Sequence, residues 1–190
     1  MAKKVKSKPK KVKIKVKAKK PKAKKKKSVP GIPEGFSTVT PHLVARDAAQ
    51  AIEFYKRAFG AVETVCMPGP GGKILHAEIK IGDSHIFIAD EFPEWGSKSP
   101  LTIGGTASSV CLYVPDADAV FSQAVAAGAK VAMPLADQFW GDRYGKLTDP
   151  FGHAWEVATH LEDLTPEEMK KRLEVAMAQM AQQQHPGSQG

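Results

Sequence analysis

An α+β fold built from two copies of one βαβββ unit is predicted by three observations. Stretches of period-two alternation are interrupted twice by a single helix-spaced segment. Ala51-Ile52 and Gly60-Ala61 recur as Ala119-Val120 and Gly128-Ala129 at a constant offset of 68 residues. Asp47 and Asp116 are 69 apart, so one residue is inserted where the second helix begins. Finally, a hairpin around Gly82-Asp83 is echoed by one around Asp149-Pro150-Phe151-Gly152, where Pro presets φ and Gly accepts a positive one. A chain of 190 residues accommodates one such duplicated domain.

The first strand is predicted over Thr38 to Ala45, with Val39, Leu43 and Ala45 on one face and Thr40, His42 and Val44 on the other. Asp47 caps a helix through Ala58, whose Ala48, Ala51, Ile52, Tyr55, Ala58 and Phe59 fall at helical spacing, and Gly60 ends it. Val62 to Cys66 is a short strand and Pro68-Gly69-Pro70-Gly71-Gly72 a loop. Ile74 to Ile81 and His85 to Ala89 form a hairpin.

A loop from Phe92 to Thr106 leads to the second module: a strand over Val110 to Val114, a helix from Asp116 through Ala126, and a short strand after Gly128-Ala129. The closing hairpin follows. After its turn, Trp155 and Val157 alternate with Glu156 and Ala158, which places Glu156 and His160 on one side and Trp155 in the core. Thr165-Pro166-Glu167-Glu168 is a capping box opening a last helix that carries Met169, Leu173, Ala176, Met177 and Met180 on one side and frays from Gln182. The domain therefore spans residues 36–163, with modules at about 38–92 and 107–160, and the helix occupies 164–190.

Residues 1–35 have a different character. The first 27 hold 16 Lys and no acid; the rest carries the other 12 basic residues and all 20 acidic ones, a net charge of −8. The alternation Lys11-Val12-Lys13-Ile14-Lys15-Val16-Lys17 mimics a strand, but its aliphatics do not offset a backbone ordering cost of about 1–2 kcal/mol per residue. This tail is expected to be disordered. Residues 3–27 would contact nucleic acid non-specifically through counterion release, since no aromatic interleaves the lysines. The other reading of the tail is a solvated appendage.

Cys66 and Cys111 match no metal or redox spacing and point to a reducing compartment. No apolar run has transmembrane length and the N-terminus lacks a signal-peptide core, so a cytoplasmic protein with no membrane partner is expected.

Two βαβββ modules, the Asp47 cap before Ala51-Ile52-Glu53-Phe54-Tyr55, the segment Phe139-Trp140-Gly141-Asp142-Arg143-Tyr144-Gly145, and Asp149-Pro150-Phe151-Gly152-His153 followed by Ala158-Thr159-His160 resemble the vicinal oxygen chelate superfamily. That superfamily holds glyoxalases, bleomycin-resistance proteins and extradiol dioxygenases, and the likeness is closest to its PhnB-like branch. It covers residues 37–165. It implies a curled mixed sheet around a cavity with helices outside, and a homodimer. It does not fix an activity.

Glyoxalase-like members hold a divalent metal with one ligand from the first and last strand of each module. The resemblance maps these positions to Thr40, about Ile86, Ser109 and Glu156, of which only Glu156 is a good ligand. A substitute set would draw on His42, with His76 and Glu78 sharing one strand face and Glu156 and His160 another. These residues fix no cofactor. Zn, Ni, Fe or Mn held by Glu156 and His42 is the candidate. His85, His153 and His185 are read as strand, turn and chain-end residues.

Two functions follow. In the first, a bleomycin-resistance-like protein sequesters a small molecule. An acidic body with Glu78, Glu156, Trp95, Trp140 and Tyr144 suits a cationic, aromatic ligand. In the second, a metal-assisted lyase or isomerase uses Glu156 or Glu78 as general base next to a carbonyl, with Arg143 or Lys146 holding the oxyanion. The candidate binding residues are His42, His76, Trp140, Arg143 and Tyr144. A third reading makes the domain a scaffold for the lysine tail.

Overall fold

The computed structural model describes residues 29–184. The lysine-rich stretch and His185 lie outside them. The chain divides into two units, Met1–Gly31 and Ile32–Gly190, and the second carries every described strand and helix.

Both modules have the predicted order. The first contains β1 (His42–Ala45), α1 (Ala48–Phe59), β2 (Val62–Pro68), β3 (Ile74–Ile81) and β4 (Ser84–Asp90). A short helix α2 (Pro100–Ile103) lies in the connection. The second contains β5 (Ser109–Tyr113), α3 (Ala117–Ala127), β6 (Lys130–Asp137), β7 (Asp142–Thr148) and β8 (Ala154–His160). Helix α4 (Pro166–Gln184) is the last element among the described residues. The strands make two four-stranded sheets, ordered β1-β4-β3-β2 and β5-β8-β7-β6. In each, one parallel pair (β1 with β4, β5 with β8) adjoins an antiparallel meander.

The two helices start and stop by the same devices. Asp47 Oδ1 accepts from Gln50 N and Asp116 Oδ1 from Ala119 N, each at 2.9 Å. This satisfies one of the backbone donors that a helix start leaves unpaired. Gly60 and Gly128 end the helices at φ 66° and 118°, a left-handed conformation that a β-carbon disfavours. A second latch is repeated as well. Ala48 N donates to Asp90 Oδ1 and Ala117 N to Thr159 Oγ1, tying each helix start to the end of its module's last strand.

Each helix covers one face of its own sheet and leaves the other face open. Ala77, Ile79 and Ile81 of β3 and Ile86 and Ile88 of β4 are buried on the α1 side; Leu147, Trp155 and Val157 are buried in the second module. One continuous core joins the modules, with Trp155 packed against Tyr55 and Phe59 at ring separations of 5.2 and 4.6 Å. Burial of each such side chain stabilises by about 1.5–3 kcal/mol.

Four sequence expectations need correction. The first strand begins at His42, not Thr38, and Val39 is 80 % exposed. Pro41 offers no N–H to the ladder, so pairing opens with its carbonyl, which accepts from Phe87 N. The loop after Phe92 includes α2, held by Arg46 Nη2 donating to the Leu101 carbonyl and by Glu91, which accepts from Ser99 N and Oγ. The Trp140–Gly145 segment, whose two glycines read as a loop, instead places Arg143 and Tyr144 on strand β7. The strand after Gly128-Ala129 is eight residues long rather than short.

Candidate functional site

Strand alternation assigns the candidate residues to two open sheet faces. On the first sheet, β3 buries Ala77 and Ile79 and so turns His76 and Glu78 to the open side. His42 and Glu78 are the register partners of Phe87 on its two flanking strands. His76 Nε2 lies 3.4 Å from Glu78 Oε1. The Phe87 ring is met edge-on by His42 at 6.2 Å and by His76 at 4.9 Å, and Phe36 lies tilted at 5.7 Å. Burial and the neighbouring His76 push the His42 imidazole below its usual pKa, so it is neutral at physiological pH.

On the second sheet, Cys111 and Lys146 are the register partners of Glu156. Glu156 Oε1 accepts from Ser109 Oγ at 2.9 Å and lies 3.2 Å from Lys146 Nζ. Burial pushes the Glu156 carboxyl upward, but donors from Ser109, Tyr144 and Lys146 outweigh it and hold its pKa below the ordinary value. Glu156 is thus a fixed, paired anion, not a base poised near neutrality. Burial and the adjacent Glu156 raise the Cys111 thiol, which stays protonated.

Asp142, buried on the same sheet, is a hub that the sequence reading did not single out. Its carboxylate accepts from Tyr113 Oη at 2.9 Å and Trp140 Nε1 at 3.1 Å, and meets His160 Nδ1 at 2.8 Å. Trp140 stands edge-on to Tyr144 at 5.5 Å. The one sequence signal for this hub was the shared strand face of Glu156 and His160.

Arg143 sits on the other side of β7. Its guanidinium is held by Asp118 of α3, at 2.5 and 2.6 Å, and by Asp137 at 2.9 Å. Trp95 is exposed and stacks on Phe92 at 4.7 Å. His153 lies beside the β7–β8 turn as expected, but it is buried.

The candidates therefore divide into two sets. His42, His76 and Glu78 share one face; Glu156, Tyr144 and Trp140 share another. Among the described residues no three His, Cys, Asp or Glu side chains converge as a metal site. The strand register also moves the mapped positions. Level with Glu156 on the ladders are Cys111 and, at the equivalent step of the first module, His42 and Phe87; Ser109 reaches Glu156 through its hydroxyl, and Ile86 is buried on the α1 side. Of the four level residues only the His42 imidazole and the Glu156 carboxylate are ready ligands, the latter already engaged by Ser109 and Lys146, and Phe87 offers no donor, so the set falls short of the three strong ligands that a divalent ion takes. A cleft of about 680 Å³ lies between the β3–β4 turn and β5, and His42, His76, Glu78 and Glu156 are not among its lining residues. It is lined by Val39, Pro41 and His85 on one side and Cys111 and Tyr113 on the other.

Two such modules, each with one open sheet face, define a glyoxalase-like class of protein. A sequence profile of the Glyoxalase/Bleomycin resistance protein/Dioxygenase superfamily matches residues 36–157, and the chain belongs to that superfamily. An uncharacterised protein of Mycobacterium tuberculosis is 44 % identical over 135 residues, covering 70 % of this chain and 79 % of that one. An uncharacterised Arabidopsis thaliana protein is 32 % identical over 131 residues, covering 65 % and 78 %. Among solved structures, TioX from Micromonospora sp. ML1 superposes with a TM-score of 0.52 at 29 % identity, covering 66 % of this chain and 99 % of that one. An Arabidopsis thaliana gene product gives 0.53 at 29 % identity, covering 65 % and 98 %. No helix among the described residues is long and apolar enough to cross a membrane.

Proposed function

We propose that the protein is a small-molecule binder that does no chemistry on its ligand, and that it acts as a homodimer. In this reading the open face of the first sheet of one protomer lies against the open face of the second sheet of its partner. The observation that carries the proposal is the state of Glu156. It faces outward on an uncovered sheet, yet it is held as an anion by Ser109 and Lys146. Such a group recognises a donor or a cation, and it lacks the raised pKa that would help a general base. His42, His76 and Glu78 would supply one wall of the cavity, and Glu156, Tyr144 and Trp140 the other. Arg143 would act at the rim only after release from Asp118 and Asp137.

The lyase or isomerase alternative draws on Glu78, a carboxylate paired only with His76 among the described residues. Contact between residues 3–27 and nucleic acid rests on composition alone. For the main proposal, sedimentation should give a species of about twice 20.5 kDa. A thermal-shift screen of aromatic amines should find ligands that are recovered unchanged and bind at least ten-fold more weakly to Glu156→Gln. Turnover of a bound compound would establish the enzyme reading instead. A monomer, or hits indifferent to Glu156→Gln, would overturn the proposed cavity.

A further inference from the structure

The internal repeat allows the two open faces to be compared position by position. His42 pairs with Phe87 on the first parallel ladder and Cys111 with Glu156 on the second, and both residues of the first pair lie 69 positions before their counterparts. On the adjoining antiparallel ladders, Phe87 pairs with Glu78 and Glu156 with Lys146. Phe87 therefore stands at the step where the second module carries its carboxylate. Glu78 stands where that module carries a lysine.

The first face thus has an aromatic ring at its centre and its negative charge one strand away. His42 and His76 meet Phe87 at interplanar angles of 85° and 63°, and Phe36 at 46°, so none of the three stacks on the ring. Glu78 has no lysine or arginine against it among the described residues. The local field is that of a carboxylate beside a π-face, which favours a flat cation.

We infer that the first module's open face binds, without a metal, a planar cationic aromatic group that stacks on Phe87. This rests on the reading that the open faces form a small-molecule site, and it assigns the aromatic end of the ligand to this module. The polar end is left to Glu156 of the other module. Phe87 puts a non-ligand at the site's central step, which suits a ring platform rather than a metal.

The test uses the full-length protein and proflavine, a planar tricyclic cation, followed by fluorescence. Saturable binding is expected, with competition by other planar cations but not by tetraethylammonium. Phe87→Ala should weaken binding about ten-fold, within the range for loss of one aromatic stacking partner, and Phe87→Tyr should retain it. Retention in the tyrosine variant guards against a folding defect. If Phe87→Ala binds as well as wild type while Glu156→Gln is weakened, the ring platform is wrong and the binder reading stands. If neither substitution matters, or proflavine does not bind, this inference fails; indifference of every screened ligand to Glu156→Gln would take the binder reading with it. One Zn²⁺ or Ni²⁺ ion per protomer that survives desalting and is lost in His42→Ala would also overturn the inference.

Discussion

The phenol of Tyr55 donates to the Asp149 carboxylate at 2.6 Å across 94 residues of sequence, inside the core between α1 and the β7–β8 turn. Asp149 also accepts from the backbone N–H groups of Phe151 and His153 and from Trp155 Nε1. The His153 ring lies 3.2 Å from Asp149 and 3.1 Å from the Val44 carbonyl, so one buried carboxylate links the first module to the closing hairpin. Tyr55→Phe should destabilise by about 1–3 kcal/mol, because a buried acceptor loses a donor without gaining water. Urea denaturation would show this as a lower midpoint at constant slope.

The same carboxylate gives stability a defined pH dependence. Burial pushes the Asp149 pKa up, but hydrogen bonds from His153, Tyr55 and Trp155 outweigh it and lower the folded value. A depressed folded pKa contributes stability that is fully present above the unfolded value of about 3.9 and is lost as pH falls through the folded one. Replacing Asp149 with Asn should therefore flatten the acid limb of the stability curve below about pH 4, as well as lowering stability at neutrality. An acid limb identical to wild type would show that the linkage lies in other carboxylates.

Gly145 is a packing glycine in the middle of β7. A β-carbon there would lie 2.7 Å from Phe121 Cε2 and 3.0 Å from Leu135 Cα. The phenyl ring could shift, but Leu135 presents backbone atoms, in a bulge held on either side by the Met133–Lys146 and Ala136–Tyr144 pairs. Gly145→Ala should cost about 1–3 kcal/mol by overpacking. That corresponds to a melting temperature lower by roughly 3–10 °C, readable by calorimetry.

Much of this fold was legible because its signals are local. The two Asp caps, the two Gly stops and the hairpin turns are each written in a few adjacent residues, and their repetition revealed the duplication. The capping box is likewise present, with Thr165 N donating to Glu168 Oε2 and Glu168 N to Thr165 Oγ1. The site was less legible because face assignment depends on where a strand starts and whether it exists. Gly141 and Gly145 gave the Trp140–Gly145 segment the composition of a loop, so the strand parity that puts Asp142 and Tyr144 on the open face and Arg143 against α3 was hidden. Phe87 drew no notice for a different reason. Its meaning lies in standing level with Glu156, and inter-strand register is not a property of either strand alone.

His160 provides a spectroscopic check of the Asp142 hub. Its ring nitrogens face Asp142 and Asp163 at 2.8 and 3.1 Å, and hydrogen bonding to Asp142 first, then Asp163, raises its pKa above the usual 6.5. A raised pKa means that the interaction is complete below the unfolded value and is lost as pH rises through the folded one. An NMR titration of the His160 ring should give a midpoint above 6.5, and Asp142→Asn should bring it back toward that value. A midpoint that does not respond to Asp142→Asn would remove His160 from the hub.

Helix α4 should prove separable from the domain. Beyond its capping box, the helix meets the body through the pairing of Arg172 with Glu162, both partly exposed, and along a groove it shares with Phe139; exposed pairs stabilise little. Leu173, Val175, Met177 and Met180 are all more than 40 % exposed, so the helix buries little apolar surface within the chain. The segment that completes the domain ends earlier, where Leu161 N and Glu162 N both donate to the Gly141 carbonyl. Truncation after Leu164 keeps those bonds, and the melting temperature should stay within about 3 °C of the full chain. Sedimentation of the same truncation then separates two roles for the exposed apolar row. An unchanged dimer mass places the dimer contacts on the sheets, and a shift to monomer assigns them to α4.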